Sequence, residues 1–196
     1  MLQTEGETMT DKTLLITGAS SGIGAATARA AAERGWKVGL MARSQDKLAA
    51  LVDEIGSDSA MALPGDVTSE EDQKAAFDAF LARFGRLDAA FANAGLGLGG
   101  PGGAEKAELA KWRKMVDVNI WGLLVTARLA LPELHKTKGH MLLTGSRAAR
   151  TEISGSVYGA TKHFVHGFAA NLLAEMRDWG GRCTVISPGM VDTPFF

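Results

Sequence analysis

The chain has 196 residues, 21 basic against 22 acidic side chains and 46% hydrophobic residues, a composition typical of a packed globular domain. The near-neutral charge leaves no electrostatic footprint for a phosphate backbone, so we expect no nucleic-acid partner. The single cysteine, Cys183, excludes an internal disulfide framework and favours a reducing cytoplasm. The longest apolar region, Ile120 to Leu134, is interrupted by Arg128 and Pro132 and is shorter than a membrane span. We expect a soluble cytoplasmic protein with no membrane partner.

Short apolar runs alternate with longer helical patterns along the chain. Six strands are predicted, at Lys12–Gly18, Trp36–Ala42, Ser59–Pro64, Leu87–Ala92, His140–Thr144 and Arg182–Ser187. Helices are predicted near 22–34, 45–55, 69–84, 105–134 and 156–179. This alternation requires parallel strands joined by right-handed crossovers, because a tight turn cannot link parallel neighbours. The pattern predicts an α/β fold: a doubly wound (Rossmann) parallel sheet of at least six strands with helices on both faces.

The segment TGASSGIG, residues 17–24, joins the first predicted strand to the first long helix. Glycines there let the backbone approach a pyrophosphate, and the free N–H groups of the helix start supply hydrogen bonds and positive potential. A plain turn is the alternative, but the place after the first apolar strand favours dinucleotide binding. The predicted contacts are Gly18, Ser20, Ser21, Gly22, Ile23 and Gly24.

The end of the second predicted strand distinguishes the two nicotinamide cofactors. Sheets that bind NAD carry there an acid for the ribose hydroxyls, whereas this chain has Ala42, Arg43 and Ser44. A guanidinium pairs with a 2′-phosphate that an acid would repel, and a hydroxyl can add a hydrogen bond. Arg43 and Ser44 therefore predict NADP(H), with NAD(H) as the second choice. The alternative is that Arg43 is only a solvated residue at a helix start.

Further short motifs follow the later strands in a fixed order. They are Asp66-Val67, Asn93-Ala94-Gly95, and Pro188-Gly189 with Val191 and Thr193 beyond it. A second set consists of Asn119, Ser146, Tyr158 and Lys162. Together with the TGxxxGIG loop, these motifs resemble the short-chain dehydrogenase/reductase family from Lys12 to Phe196, in particular its NADP(H)-preferring carbonyl reductases and alcohol dehydrogenases.

The resemblance implies a cofactor-binding role for each motif. Asp66 would accept from the adenine amino group; the alternative is that it caps the helix opening at Thr68-Ser69. Asn93-Ala94-Gly95 would lie against the adenosine ribose, a role compatible with an Asn93 side chain that ties neighbouring strands. The segment from Pro188 to Thr193 would close over the nicotinamide.

Tyr158 is the only tyrosine of the chain, and Lys162 follows one helical turn later on the same face. An ammonium beside a phenol stabilises the negative charge that the oxygen acquires when its proton leaves. We therefore expect Tyr158 to be a general acid and base. The resemblance implies that Lys162 also bonds the nicotinamide ribose.

Ser146 ends the fifth predicted strand, so it can converge with Tyr158 on one carbonyl oxygen. No histidine base or GxSxG elbow accompanies it, so we expect it to hold the substrate oxygen rather than attack it. Thr144 is the alternative for that role. Asn119 lies in a strongly apolar stretch where its amide must be satisfied. The resemblance implies that it holds a water linking Lys162 to solvent; the alternative is an amide at a helix kink without a chemical role.

These residues predict an enzyme that transfers a hydride between NADP(H) and a carbonyl or secondary alcohol substrate, with carbonyl reduction as the favoured direction. A non-catalytic dinucleotide sensor on the same fold is the alternative. A methyltransferase is a third reading, which expects an acid in place of Arg43 and leaves Tyr158 and Lys162 unexplained. We expect residues 1–10 to be a disordered extension and residues 11–196 to be one domain that lacks the family's C-terminal substrate segment.

Four other side chains near the predicted site carry weaker signals. Arg147 and Arg150 flank the fifth strand's end, where either could meet an anionic substrate or simply be an exposed loop cation. His163 and His166 have a spacing that permits a metal face, but no third ligand is suggested. We expect no metal and place these histidines at the surface or at an interface.

Two helices carry apolar residues almost all round their axes, which is more than one sheet-facing stripe requires. In the first they are Trp112, Met115, Val116, Val118, Ile120, Trp121, Leu123, Leu124 and Val125. In the second they are Val157, Phe164, Val165, Phe168, Leu172, Leu173 and Met176. A large exposed apolar patch is unusual on a monomer, and a two-fold interface would bury it. We expect a homodimer or homotetramer.

Overall fold

A computed structural model describes residues 12–98 and 104–193. Its strands are β1 (Thr13–Thr17), β2 (Lys37–Ala42), β3 (Ala60–Pro64), β4 (Ala89–Ala92), β5 (His140–Thr144) and β6 (Arg182–Ile186). They form one parallel sheet in the order β3-β2-β1-β4-β5-β6. The predicted doubly wound α/β sheet is therefore confirmed. Because the strand order reverses between the paired strands β1 and β4, the connections that leave their carboxyl ends run to opposite faces of the sheet and open a crevice where such sheets bind ligands. The extension predicted for residues 1–10 lies outside the described residues.

Helices cover both faces of the sheet. They are α1 (Gly22–Ala32), α2 (Gln45–Ile55), α3 (Glu70–Phe84), α4 (Leu109–Val116), α5 (Leu123–Thr137) and α6 (Val157–Arg177). The helices α1 and α2 share one core cluster with β1 to β4, and α3, α5 and α6 share a second cluster on the opposite face. The apolar faces of these helices thus meet the apolar strands, as the sequence pattern requires.

Burial alternates along β5 and β6. The run Met141-Leu142-Leu143 reads as a strand buried on both faces, yet Leu142 is only half-buried. The reason is that α1 and α2 lie mainly over β1 to β4, so in the described part of the chain their core cluster reaches β5 only at Leu142.

The single helix predicted for 105–134 differs from the structure in its ends and in its middle. It begins at Leu109, passes through a π-helical turn at Asp117–Gly122 and continues to Thr137. At the end of the π turn the Gly122 carbonyl accepts from the side chain of Thr126 (2.8 Å), four residues on, and from the distant side chain of Gln73 (2.9 Å). Such single wide turns often lie at functional sites.

By length and composition alone, the run Leu109–Thr137 could cross a membrane, but half of its most apolar window is buried inside the protein. The buried residues Leu123, Ala127, Ala130 and Leu134 belong to the same core cluster as β4 and α6. This run is the central core helix on one face of the sheet.

Candidate active site

The carboxyl ends of the strands open into one cleft with a volume of about 780 Å³. Nearly all of the predicted site residues line it: Gly18, Ser20, Ser21, Gly22, Ile23, Arg43, Ser44, Asp66, Val67, Asn93, Ala94, Gly95, Ser146, Tyr158, Lys162, Pro188, Gly189, Val191 and Thr193. Gly24 and Asn119 lie behind its wall instead. Residues as far apart as 18 and 193 meet here because each follows the end of a parallel strand or begins the next helix.

The loop after β1 needs glycine at two positions for different reasons. Gly18 has a φ of +67°, and a Cβ there would lie 2.8 Å from the Cα of Ala94. Gly22 has a φ of +52°, and a Cβ there would lie 3.1 Å from the Thr193 side chain. Glycine alone adopts both conformations freely, so the backbone of the loop approaches β4 on one side and the segment after β6 on the other.

The start of α1 suits an anion. Its N-cap residue Ser21 makes no capping hydrogen bond, whereas Ser69 and Ser156 accept from backbone N–H groups at the starts of α3 and α6. The first N–H groups of α1 therefore have no side-chain acceptor, and they point with the positive end of the helix dipole toward the loop. Free N–H groups at a helix start form a site that can bind an anion.

Arg43 and Asp66 face each other across the end of the cleft formed by β2 and β3. The Arg43 Nη1 atom lies 3.9 Å from Asp66 Oδ2, and the two side chains are 67% and 37% exposed. A long, exposed ion pair of this kind contributes at most about 1 kcal/mol. The guanidinium therefore remains available to a second anion.

The cap role considered for Asp66 is wrong. Its Oδ1 atom accepts from the backbone N and the Oγ1 of Thr68, both at 2.9 Å, but the N-cap of α3 is Ser69, which accepts from the Asp72 N–H. Asp66 instead closes a local turn with Thr68, directly before the N-cap residue, because aspartate bonds readily to the backbone two residues on.

The side chain of Asn93 ties three strands together, as one of the two compatible readings predicted. Its Nδ2 donates to the carbonyls of Thr17 (3.1 Å) and Gly18 (3.2 Å). Its Oδ1 accepts from the Thr144 hydroxyl (3.1 Å). One amide thus fixes the ends of β1, β4 and β5 around the cleft.

Tyr158 and Lys162 project from the same face of α6 into the cleft. The Lys162 Nζ lies 5.7 Å from the centre of the Tyr158 ring and donates to the Thr144 carbonyl at 2.8 Å. The Lys162 residue is only 3% exposed, and burial lowers the pKa of its ammonium to about 8. At pH 7 this side chain is still mostly protonated, so it carries a positive charge next to the phenol.

Ser146 and Thr144 both line the cleft, but their hydroxyls are engaged differently. The Thr144 hydroxyl donates its proton to Asn93. The Ser146 Oγ accepts from the Ala148 N–H at 3.1 Å, a bond that leaves the serine proton free to donate. This difference favours Ser146 over Thr144 as the donor to a substrate oxygen.

Asn119 lies in the π turn and is 1% exposed. Its amide is satisfied by the backbone N–H and carbonyl of Leu96, both at 2.9 Å, and by the Thr161 hydroxyl at 3.1 Å. Both Asn119 Oδ1 and Lys162 Nζ come within about 3.5 Å of where a Cβ on Gly95 would be. Asn119 therefore joins the π turn, α6 and the loop after β4 directly behind the lysine.

Several residues of the cleft carry no sequence motif and were not predicted. They are Ala42, Gly65, Leu96, Val118, Gly145, Ala148, Thr151, Ile153 and Met190, whereas Thr144 and Arg147 line the cleft as two weaker candidates of the sequence. Most follow the ends of β3 to β6, so the one signal available for them is their place directly after an apolar strand.

His166 packs against the end of β6. It is half-buried, and its Nε2 lies 3.0 Å from the Ser187 Oγ at the end of β6. Burial and the positive charges of Arg150 and His163 lower its pKa. His163 is exposed. No group of three possible metal ligands occurs within residues 12–98 and 104–193.

Comparison with known proteins shows the family. The model of the short chain dehydrogenases matches residues 12–196. The chain belongs to this family of oxidoreductases, and the resemblance of its motifs is confirmed. Serine 3-dehydrogenase from Agrobacterium fabrum is 40% identical over 184 residues, which are 93% of this chain and 73% of that protein.

Solved structures of the family share the fold closely. The 3-ketoacyl-(acyl-carrier-protein) reductase from Brucella melitensis, complexed with NADH, has a TM-score of 0.90 and 31% identity over 95% of this chain and 79% of its own. The alcohol dehydrogenase from Thermococcus sibiricus, complexed with 5-hydroxy-NADP, has a TM-score of 0.88 and 33% identity over 94% and 78%. Nicotinamide dinucleotides of both kinds thus occur among its relatives.

The buried ammonium generates a prediction for stability. The lowering of the Lys162 pKa from 10.5 to about 8 corresponds to about 3 kcal/mol against the charged form. We expect Lys162→Met to abolish turnover yet raise the free energy of unfolding at pH 7 by about 1 kcal/mol or more, because the lost hydrogen bond offsets only part of that cost. Chemical unfolding of both proteins measures this.

The same pKa shift predicts how the free energy of unfolding of the wild type changes with pH. Between pH 8 and 10.5 the unfolded chain binds more protons at Lys162 than the folded chain, so wild-type stability rises with pH over that window and the difference from the variant closes. Lys74 on α3 is exposed and supplies the control Lys74→Met. The difference in free energy of unfolding between wild type and this variant should not narrow over the same pH window. A constant gap between wild type and Lys162→Met would contradict the argument.

Proposed function

We propose that this chain is an NADP(H)-dependent oxidoreductase that transfers a hydride between the cofactor and a carbonyl or secondary alcohol substrate. The observation that carries the proposal is the convergence of Tyr158, Lys162 and Ser146 in the cleft that also holds the loop after β1. A proton donor, a cation and a hydroxyl donor around one space are what carbonyl reduction requires.

The residues of the cleft fit a nicotinamide dinucleotide in an extended arrangement. The uncapped start of α1 would hold the diphosphate. Asp66 and Asn93-Ala94-Gly95 would lie by the adenosine, and the segment from Pro188 to Thr193 by the nicotinamide. When bound, this cofactor supplies the hydride for reduction or accepts it in oxidation.

The chain's own side chains would handle the proton. In reduction Ser146 donates a hydrogen bond to the carbonyl oxygen, and Tyr158 transfers its phenol proton to the same oxygen. The Lys162 ammonium stabilises the negative charge left on Tyr158, and its further N–H groups can bond ribose hydroxyls. Asn119 holds the π turn behind Lys162, and the family resemblance implies that it also holds a water linking Lys162 to solvent.

NADP(H) is the cofactor that the end of β2 favours. Arg43 and Ser44 line the cleft where an acid would select NAD, and the weak pairing of Arg43 with Asp66 leaves its guanidinium able to bind a 2′-phosphate. The names of the relatives, a serine dehydrogenase, a ketoacyl reductase and an alcohol dehydrogenase, support hydroxyl and carbonyl chemistry. A non-catalytic sensor is not favoured, because it has no use for Tyr158 and Lys162. The lone cysteine supports a cytoplasmic location.

We further propose a homodimer or homotetramer through the outer face of α4, the π turn and α5. Trp121 (48% exposed) and Val116 (37% exposed) border a surface concavity of about 560 Å³, with Ile120 and Leu124 beside them. On α6, Phe164 and Phe168 stack with ring centres 5.9 Å apart. A two-fold axis beside these helices would bury the exposed apolar side chains on both copies.

Tyr158→Phe keeps the ring and deletes the proton donor. We expect the turnover number to fall by at least ~10²-fold, the usual scale of general acid and base help. Cofactor affinity, measured by NADPH fluorescence titration, should change little. Near-normal turnover would remove Tyr158 from the mechanism, and a lost cofactor affinity would indicate a collapsed cleft.

Arg43→Asp replaces a phosphate partner with a repelling charge. The ratio of kcat/KM for NADPH to that for NADH should fall by at least about tenfold, because a charge-assisted hydrogen bond contributes about 1.5–3 kcal/mol. Arg34→Asp, at an exposed arginine outside the cleft, is the charge-matched control. If both variants move the ratio equally, Arg43 is not the phosphate site.

Trp121→Asp places a charge at the centre of the proposed interface. Sedimentation velocity at micromolar concentration should show an oligomer for the wild type and a smaller species for this variant. Ala50→Asp adds the same charge on α2, which covers the opposite face of the sheet, and should leave the oligomer intact. A monomeric wild type would refute the interface.

A further inference from the structure

One arginine at the Tyr158 end of the cleft has no task in the proposed chemistry. Arg147 follows Ser146 directly and opens the short 3₁₀ turn Arg147–Arg150. Its backbone N–H donates to the Pro188 carbonyl at 3.1 Å. Its Cδ lies 3.4 Å from where a Cβ on Gly189 would be, so the aliphatic stem crosses the segment after β6.

Charge is distributed unevenly along the cleft. Its charged lining residues are Arg43, Asp66, Arg147 and Lys162. Arg43 and Asp66 face each other at the end formed by β2 and β3, and the ammonium of Lys162 is buried against the Thr144 carbonyl. Among the described residues the Arg147 guanidinium has neither an ion pair nor a hydrogen bond, and its side chain is exposed. The Tyr158 end therefore carries uncompensated positive charge beside Ser146.

We propose that Arg147 binds a carboxylate of the substrate, which makes the substrate a short hydroxy acid or the corresponding keto acid. This inference rests on the proposed function and names its substrate class. A guanidinium presents paired N–H groups that match the two oxygens of a carboxylate. One such group neutralises one negative charge, whereas a phosphate dianion would call for more exposed cations than this end of the cleft holds.

The remaining walls define the rest of the substrate. Leu96, Val118, Ala148 and Ile153 line the same cleft, and Ile153 is half exposed. These side chains suit a short hydrocarbon between the reacting carbon and the carboxylate. In reduction the keto carbon gains the hydride and its oxygen gains the Tyr158 proton, which yields the hydroxy acid and the oxidised cofactor. The carboxylate passes through unchanged.

The test compares hydroxy acids with their neutral amides. Four-carbon 2-hydroxy and 3-hydroxy acids and the matching amides are oxidised with NADP⁺ by the full chain, and kcat/KM is measured for each. For the wild type we expect at least one acid to exceed its amide by tenfold or more. Arg147→Gln should lower kcat/KM for that acid by about 10- to 100-fold, with a much smaller effect on the amide.

Arg150→Gln is the matched control, because Arg150 is an exposed arginine of the same turn that does not line the cleft. It should leave the ratio of acid to amide unchanged. An equal loss on acid and amide in Arg147→Gln would make Arg147 structural, and a raised KM for NADP⁺ with an unchanged ratio would make it a cofactor contact. Either result overturns the proposal.

Two further outcomes distinguish a failure of this inference from a failure of the proposed function. Turnover of neutral alcohols without any preference for acids would overturn the carboxylate site and leave the oxidoreductase intact. Failure to oxidise or reduce any member of the panel, or any neutral alcohol or ketone, with either cofactor would overturn the proposed function itself, and the inference with it.

Discussion

One side-chain amide holds the architecture of the cleft. Asn93 donates to the backbone at the end of β1 and accepts from Thr144 at the end of β5, while its own backbone continues β4. The pairing of β1 with β4 ends at Ile16 and Phe91, and that of β4 with β5 ends at Ala92 and Leu143. Beyond these residues the connections that leave β1 and β4 run to opposite faces of the sheet. A half-buried amide whose nitrogen and oxygen are both hydrogen-bonded fixes the separation of the strand ends. The loop after β1, Ser146 and the Thr144 carbonyl that binds Lys162 all take their positions from these ends.

The same region contains an unfavourable interaction, the burial of the Lys162 ammonium. A largely buried ammonium is costly because little of the free energy of hydration is replaced by one carbonyl contact. The Lys162 site accepts this cost, which the lowered pKa records. Asn119 and Thr161 lie behind the lysine as a satisfied polar pair, so the cost is confined to one group. The buried ammonium therefore lowers the stability of the folded chain and places a cation beside the Tyr158 phenol.

Charge also divides the cleft by task. The end formed by β2 and β3 combines a cation with an anion, and the N-terminus of α1 adds backbone N–H donors between the two ends. The Tyr158 end holds cations without a nearby carboxylate among its lining residues. Diphosphate recognition by backbone groups tolerates either arrangement, whereas side-chain charges distinguish one cofactor or substrate from another. In the proposed function, the exposed arginines Arg43 and Arg147 would therefore distinguish one cofactor or substrate from another.

Local rules reach a definite limit in this protein. The alternation of strands and helices, and the placing of Tyr158 and Lys162 on one face, follow from periods of a few residues, so the sequence by itself determined them. The π turn does not follow from such periods. Its last carbonyl, that of Gly122, accepts from the side chain of Gln73, 49 residues away in the chain. The preference for Ser146 over Thr144 as the donor to a substrate oxygen depends on the hydrogen bond that the Thr144 hydroxyl donates to Asn93, 51 residues away in the chain. Likewise, Arg147 and Arg150 are alike in sequence, and only the packing of their turn against the segment after β6 decided which one faces the cleft. Partners far apart in the chain meet only in the folded state, so these features belong to the tertiary structure alone.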